Sequence, residues 1–189
     1  MAQRFVRQQP PRSPVLARYG AQFPDFIGQF EPAASLPYLS DVARLEWLRL
    51  QALHAADATP ISSEAIAHCL SNPAALVCTR WVLAPSLHLF AAPLSAVSLW
   101  AAHQEGSGLS LECVNVEQAQ CAWIFRSNLD VMVLQTTPAD QALAHALQGG
   151  APLGEAAALA QTAQEGVDLS HTLAQLLRHG LVVGMEAPL

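Results

Sequence analysis

Charge is scarce in this chain. Asp, Glu, Lys and Arg make up 13% of its 189 residues, only nine of them are basic, and the net charge is −6. An acidic chain without a dense basic patch repels phosphate at long range, which disfavours nucleic acid as a partner. The densest basic stretch, Arg4, Arg7, Arg12 and Arg18, is broken by Pro10, Pro11 and Pro14 and reads as a solvated end. Cysteine is present without pattern: Cys69, Cys78, Cys113 and Cys121 form no C-x-x-C pair. Residues 1–18 lack the apolar run of a signal peptide. The expected setting is therefore a reducing cytoplasm with free, mostly buried thiols.

Catalytic signatures are also missing. The seven histidines form no H-x-x-x-H or H-E-x-x-H, and none stands at a ligand spacing to a cysteine. There is no G-x-S-x-G, and Gly149-Gly150 is followed by no Lys-Ser or Lys-Thr pair. A hairpin would set Cys113 and Cys121 facing each other as a redox pair, and two core thiols is the more economical reading in this compartment. Asp25, Asp41, Glu46 and Asp57 lie on or beside helices with an apolar face, so a structural or docking role is more economical than acid/base chemistry. No metal or cofactor is expected in this chain.

What the chain does have is apolar residues, 52% of the total and ample for a core. Residues 82–102 carry no formal charge, but Pro85, Pro93, His88 and three serines break the run, which disfavours a membrane span. Ser13-Pro14 predicts a helix to about Gly20. Residues 38–57 form the strongest predicted helix, with Leu39, Val42, Ala43, Leu50 and Leu53 on one face. Trp47 and Leu48 fall off that face, so contact on more than one side is expected. Glu46 can pair with Arg49, and Asp41 with Arg44. Residues 75–83 and 86–90 read as strands, and 94–103 as a helix.

A compact block follows. Strands are predicted over 109–116, 121–126 and 129–135. In the last of these Leu129, Val131, Val133 and Gln135 share a face. Thr137-Pro138 opens a helix to Leu147, a second runs over 154–163, and Asp168 caps a third. That third helix groups Leu169, Leu173, Leu176 and Leu177. Residues 181–185 form a last strand. Three strands, three helices and a terminal strand are compatible with a winged helix-turn-helix unit. Such a unit either places a helix in a DNA groove or captures an extended peptide along its third strand. Its third helix has only Arg178 and two histidines, which is poor for phosphate contact.

A family resemblance enters at residues 10–47. Pro10-Pro11-Arg12-Ser13-Pro14, Tyr19-Gly20, Phe23-Pro24-Asp25-Phe26 and Leu36-Pro37-Tyr38-Leu39-Ser40-Asp41-Val42-Ala43-Arg44-Leu45-Glu46-Trp47, followed by Ala55-Ala56-Asp57, closely resemble the HvfC/BufC family, long labelled DNA-binding. Pro85-Ser86-Leu87, Leu99-Trp100 and His103-Gln104 resemble its middle section, and the C-terminal block resembles the PqqD-like recognition domain. The resemblance implies a non-catalytic accessory subunit, working as a heterodimer with a TIM-barrel enzyme of the HvfB/BufB/MbnB type. That enzyme carries several irons and modifies cysteines of a small ribosomal precursor peptide. The partner binds the leader, and the iron ligands belong to the enzyme. Family members carry an additional N-terminal helical domain before the proline-rich motif. This chain opens close to the motif, so a shortened member or a mis-assigned start is expected, and the alternative reading as a DNA-binding regulator loses its main support.

The expectation is an α+β protein with a mainly helical part over residues 1–105 and a winged-helix-like peptide-recognition part over 106–189. Val131, Val133 and Gln135 are the candidates for main-chain pairing with a leader. Leu173, Leu176 and Leu177 are the candidates for its apolar anchors. Tyr38, Asp41, Arg44 and Glu46 either brace the fold or meet the enzyme.

Overall fold

The computed structural model describes residues 1–186. It is an α+β fold. Five helices come first: α1 (Ala2–Gln8), α2 (Phe23–Gly28), α3 (Leu39–Leu53), α4 (Ser63–Leu70) and α5 (Pro73–Cys78). Strands β1 (Arg80–Leu83) and β2 (His88–Ala92), helix α6 (Ala96–Ala102), and strands β3 (Gln120–Ser127) and β4 (Asp130–Thr136) follow. Helices α7 (Pro138–Gln148), α8 (Leu153–Ala163) and α9 (Leu169–Arg178) and strand β5 (Val182–Glu186) complete it. None of the described helices is long and apolar enough to cross a membrane.

One antiparallel sheet has the order β2-β3-β4, and a second pairs β1 with β5. Both pairings cross residue 105, since β1 and β2 precede it while β3 and β5 follow. The compact C-terminal half therefore includes the two strands before residue 105.

Central strand β3 is covered on both faces, which explains its nearly unbroken apolar sequence. Ala122 and Ile124 point into one core with Leu45 and Ala52 of α3, Phe90 of β2 and Val97 of α6. Trp123 and Phe125 point into the other, with Leu143 and Leu147 of α7, Leu153 and Ala156 of α8, and Leu176 of α9. The sheet is thus a septum between two helical layers.

Several elements differ from the sequence-based expectation. Residues 75–78 are helical because Asn72 caps α5, its side-chain oxygen accepting from Ala75 N–H at 3.2 Å, with Pro73 opening the first turn. Residues 109–116 form no strand. They are a loop with one 3-10 turn at Leu111–Cys113, so the hairpin placing Cys113 opposite Cys121 does not exist. Between Ser13 and Gly20 only a 3-10 turn, Leu16–Arg18, forms. The N-terminal end is instead helix α1, because Phe5 is buried against Tyr19, Phe23 and Phe26 at ring distances of 5.7, 5.0 and 5.4 Å. In α3 the fully buried positions are Leu45 and Ala52, whereas Leu53 is exposed. The stripe is rotated because α3 lies between the sheet and α2, with Trp47 against Gly20 and Leu48 toward the sheet core.

Candidate functional site

The β3–β4 hairpin turns through Asn128 and Leu129 alone, and Asn128 takes the left-handed conformation at φ 56°. Asn tolerates this region, which lets a two-residue turn match the strand twist. The short turn fixes the hydrogen-bond phase. Ser127 and Asp130, which it joins, form a bonded pair. Alternation then makes Phe125/Met132, Trp123/Leu134 and Cys121/Thr136 the other bonded pairs. Val131, Val133 and Gln135 therefore aim their N–H and C=O groups away from β3. Among the described residues no hydrogen bond from elsewhere in the chain reaches those groups. Strand β4 is an edge strand with three outward positions.

The side chains of β4 divide between the two faces. Val131 and Val133 pack on the core shared with α3. Leu134 packs on the core shared with α7 to α9. Met132, on the same face as Leu134, is 43% exposed, and Gln135 is exposed. Between β4 and α9 lies a small cavity of about 40 Å³, walled by Trp123, Leu134, Gln135 and Thr136 on one side and His171 and Gln175 on the other. Asp140 closes one end.

Asp140 holds this corner together. It completes a capping box for α7, its Oδ2 accepting from Thr137 N–H at 2.7 Å and from the Thr137 hydroxyl at 2.8 Å. Its Oδ1 accepts from the buried Thr172 hydroxyl of α9, which ties α9 to the start of α7. The next α9 turns continue along the groove: Gln175 Nε2 stands 3.2 Å from His171 Nε2, and His179 packs against Phe125 at 5.0 Å. At the end of α9, Gly180 is left-handed at φ 65°, and a Cβ there would stand 2.9 Å from Pro60.

The leucines of α9 do not line this groove. Leu176 is fully buried in the core and offers no surface to a ligand. Leu173 and Leu177 are half-buried against the same core. An apolar stripe at helical spacing marks the face that packs inward, so the groove belongs to the neighbouring face, with His171 and Gln175. The apolar surface beside the open edge comes from β4 itself, through Met132 and Leu134.

Of Tyr38, Asp41, Arg44 and Glu46, the last three sit where α3 meets β2 and α6. Arg44 pairs with Asp41 at 2.8 Å, donates to the Ala91 carbonyl, and lies over the Phe90 ring at 4.9 Å. Glu46 accepts from Trp100 Nε1 at 2.6 Å and pairs with Arg49 at 2.8 Å, while Arg49 covers the Trp100 ring at 4.8 Å. Three of the four thus brace α3 against β2 and α6. Tyr38 is half-buried at the N-cap of α3.

No protein-family model matches this chain, and no curated protein matches it.

Reactive groups do not converge. All four cysteines are free, with Cys113 exposed in its loop and Cys121 half-buried on β3. Burial, with the Asp140 charge second, pushes the Cys121 thiol up, which works against a thiolate nucleophile. Among the described residues no group of three or more His, Cys, Asp or Glu is arranged to hold a metal ion. Asp57 is engaged with Arg126 at 2.6 Å, and Arg126 also donates to the Leu53 carbonyl at 2.8 Å, pinning the end of α3 to β3.

Proposed function

We propose that this chain is a non-catalytic, cytoplasmic accessory subunit that binds the leader of a small, cysteine-containing ribosomal precursor peptide. We read β2, β3 and β4 with α7, α8, α9 and β5 as a winged-helix-like recognition unit of the PqqD type. The leader adds as a strand along β4, exchanging main-chain hydrogen bonds with Val131, Val133 and Gln135. Its alternate side chains rest on Met132 and Leu134 and reach toward His171 and Gln175. The partner enzyme, in this reading, is a multinuclear-iron TIM-barrel protein that does the chemistry, and the iron is its own. The family reading rests on the motif at residues 10–47.

The observation that carries the proposal is the bare outer edge of β4 beside a groove. Exposed strand edges invite pairing, and proteins usually blunt them. Duplex DNA suits this surface poorly, because α9 carries one arginine, Arg178, and Asp140 contributes negative charge beside it.

The test is binding of the precursor peptide by the purified chain, alone and in complex with the iron enzyme. Binding is expected, with the leader protecting β4 amides from exchange. If neither the chain nor the complex retains the precursor, the proposal fails.

A further inference from the structure

The open edge of β4 lies between charges of one sign. Strand alternation turns Asp130, Met132, Leu134 and Thr136 to the α9 side of the sheet. Asp130 is exposed at the start of the strand. At the other end Asp140 stands in the groove wall with Gln135, Thr136 and His171. The bonds its carboxylate accepts come from Thr137 and Thr172, which are neutral, so its charge is uncompensated. After burial, that charge is what raises the thiol of Cys121, the β3 partner of Thr136. Asp168, which caps α9, adds a third carboxylate one helical turn before Thr172. Arg178 is the one Lys or Arg in α7, α8 and α9, and among the described residues it pairs with no carboxylate. On the α3 side Arg126 is engaged by Asp57.

We infer that the β4 edge selects a cationic extended peptide, with Lys or Arg opposite Asp130 and opposite Thr136, beside Asp140, and with apolar side chains opposite Met132 and Leu134. The inference rests on the proposed peptide-binding role and names the class of peptide. The site is the unpaired edge, and the carboxylates decide which strand can lie on it. Residues directly opposite on paired strands stand about 5 Å apart, so opposite charges there attract and like charges repel. At about 3.4 Å per residue the two carboxylate ends are about 20 Å apart, which a segment of roughly seven residues spans. The pattern reads the same from either end, so it holds whether the peptide runs parallel or antiparallel to β4. An acidic peptide meets repulsion at both ends. So does a second copy of this chain: two β4 strands paired antiparallel about Val133 would set Asp130 of each copy opposite Thr136 of the other, beside its Asp140. The carboxylates thus keep an open edge from pairing with itself and leave it free for a basic strand.

A library of random peptides of about twelve residues displayed on phage, selected on the full chain at low salt, tests this. Selected peptides are expected to carry Lys or Arg at both ends of a short apolar segment. Changing either cation to Ala is expected to weaken binding about two- to fivefold, and high salt should weaken it further. Val133→Pro should abolish binding. Asp130→Lys should reverse the choice at one end, so that a peptide with Glu there binds better than the one with Lys. Asp168→Asn keeps a capping side chain and should lower affinity at the other end. Peptides that Val133→Pro abolishes, but that carry no excess of Lys and Arg or ignore both aspartate variants, would overturn the charge selection and leave the open-edge reading standing. Basic peptides that still bind Val133→Pro would report attraction to the acidic chain as a whole and overturn the inference. A dimer of the free chain with its Val131, Val133 and Gln135 amides protected would put a second copy on the edge and overturn it as well. No selectable peptide at all would remove both readings.

Discussion

Strands β2 and β4 flank the same central strand, and among the described residues side chains reach the outer edge of β2 but not that of β4. On β2 the Arg44 guanidinium donates to the outward Ala91 carbonyl, and Gln148 Nε2 donates to the Leu87 carbonyl just before the strand at 2.9 Å. The second sheet carries single contacts of the same kind: Ile61 N–H bonds the Val182 carbonyl of β5 at 2.9 Å, and Pro152 bridges to Arg80 of β1. Among the described residues nothing comparable meets Val131, Val133 or Gln135. Side chains that blunt an edge cost sequence positions: on β2 the Ala91 carbonyl is met, while Leu89 N–H and C=O and Ala91 N–H have no partner among the described residues, so the two edges differ in degree. The comparison teaches that β4 is the barer of the two edges, which favours it as the strand-accepting one.

Four tests can break or sharpen that contrast. The largest effect belongs to the centre of the sheet. Phe125→Ala should cost about 3–5 kcal/mol in urea unfolding, because the ring is fully buried, while Met132→Ala, opposite it on the edge, should stay within about 0.5 kcal/mol. Proline then reads the hydrogen-bond phase directly. Leu134→Pro removes an N–H bonded to Trp123 and should destabilise the fold by roughly 3 kcal/mol or more, whereas Val133→Pro removes an outward, unbonded N–H and should be tolerated. Equal losses for the two would mean the phase is wrong. On the β2 flank, Arg44→Ala should cost about 1 kcal/mol, since it removes a partly exposed pair with Asp41 and the bond to Ala91.

Smallest is the response to acid. Burial holds the His88 imidazole below its ordinary value of 6.5, and burial with the nearby Arg178 does the same for His179. The unfolded chain therefore takes up these protons first. Stability from both groups is full above pH 6.5 and falls as pH drops through 6.5 toward the depressed folded values. Among the described residues His88 Nε2 has no hydrogen-bond partner, so His88→Leu should flatten part of that slope without losing a bond. A slope unchanged in this variant would place the acid response elsewhere.

Much of this arrangement is legible in the residues. The apolar run of β3, the Ser127-Asn128 turn, the Thr137-Pro138 helix start and the Asp168 cap locate the elements around the groove with little ambiguity. The turn length and the period-two alternation also fix which β4 residues face outward. Other parts depend on tertiary contacts that local patterns do not carry. Helix α1 has one buried residue, Phe5, and exists because an aromatic cluster from residues 19–26 receives it. Residues 109–116 alternate like a strand, but among the described residues no strand pairs with them, so they stay a loop. The stripe Leu173, Leu176 and Leu177 reports which side of α9 packs inward. The groove lies on the adjacent side, where His171 and Gln175 give no periodic signal.

Amide hydrogen exchange, read residue by residue along β4 of the free chain, tests the central claim most directly. The N–H groups of Val131, Val133 and Gln135 should exchange rapidly, while those of Met132, Leu134 and Thr136 are protected by β3. Uniform protection along all six would mean that the outer edge is already paired, and would contradict a strand left open for a peptide.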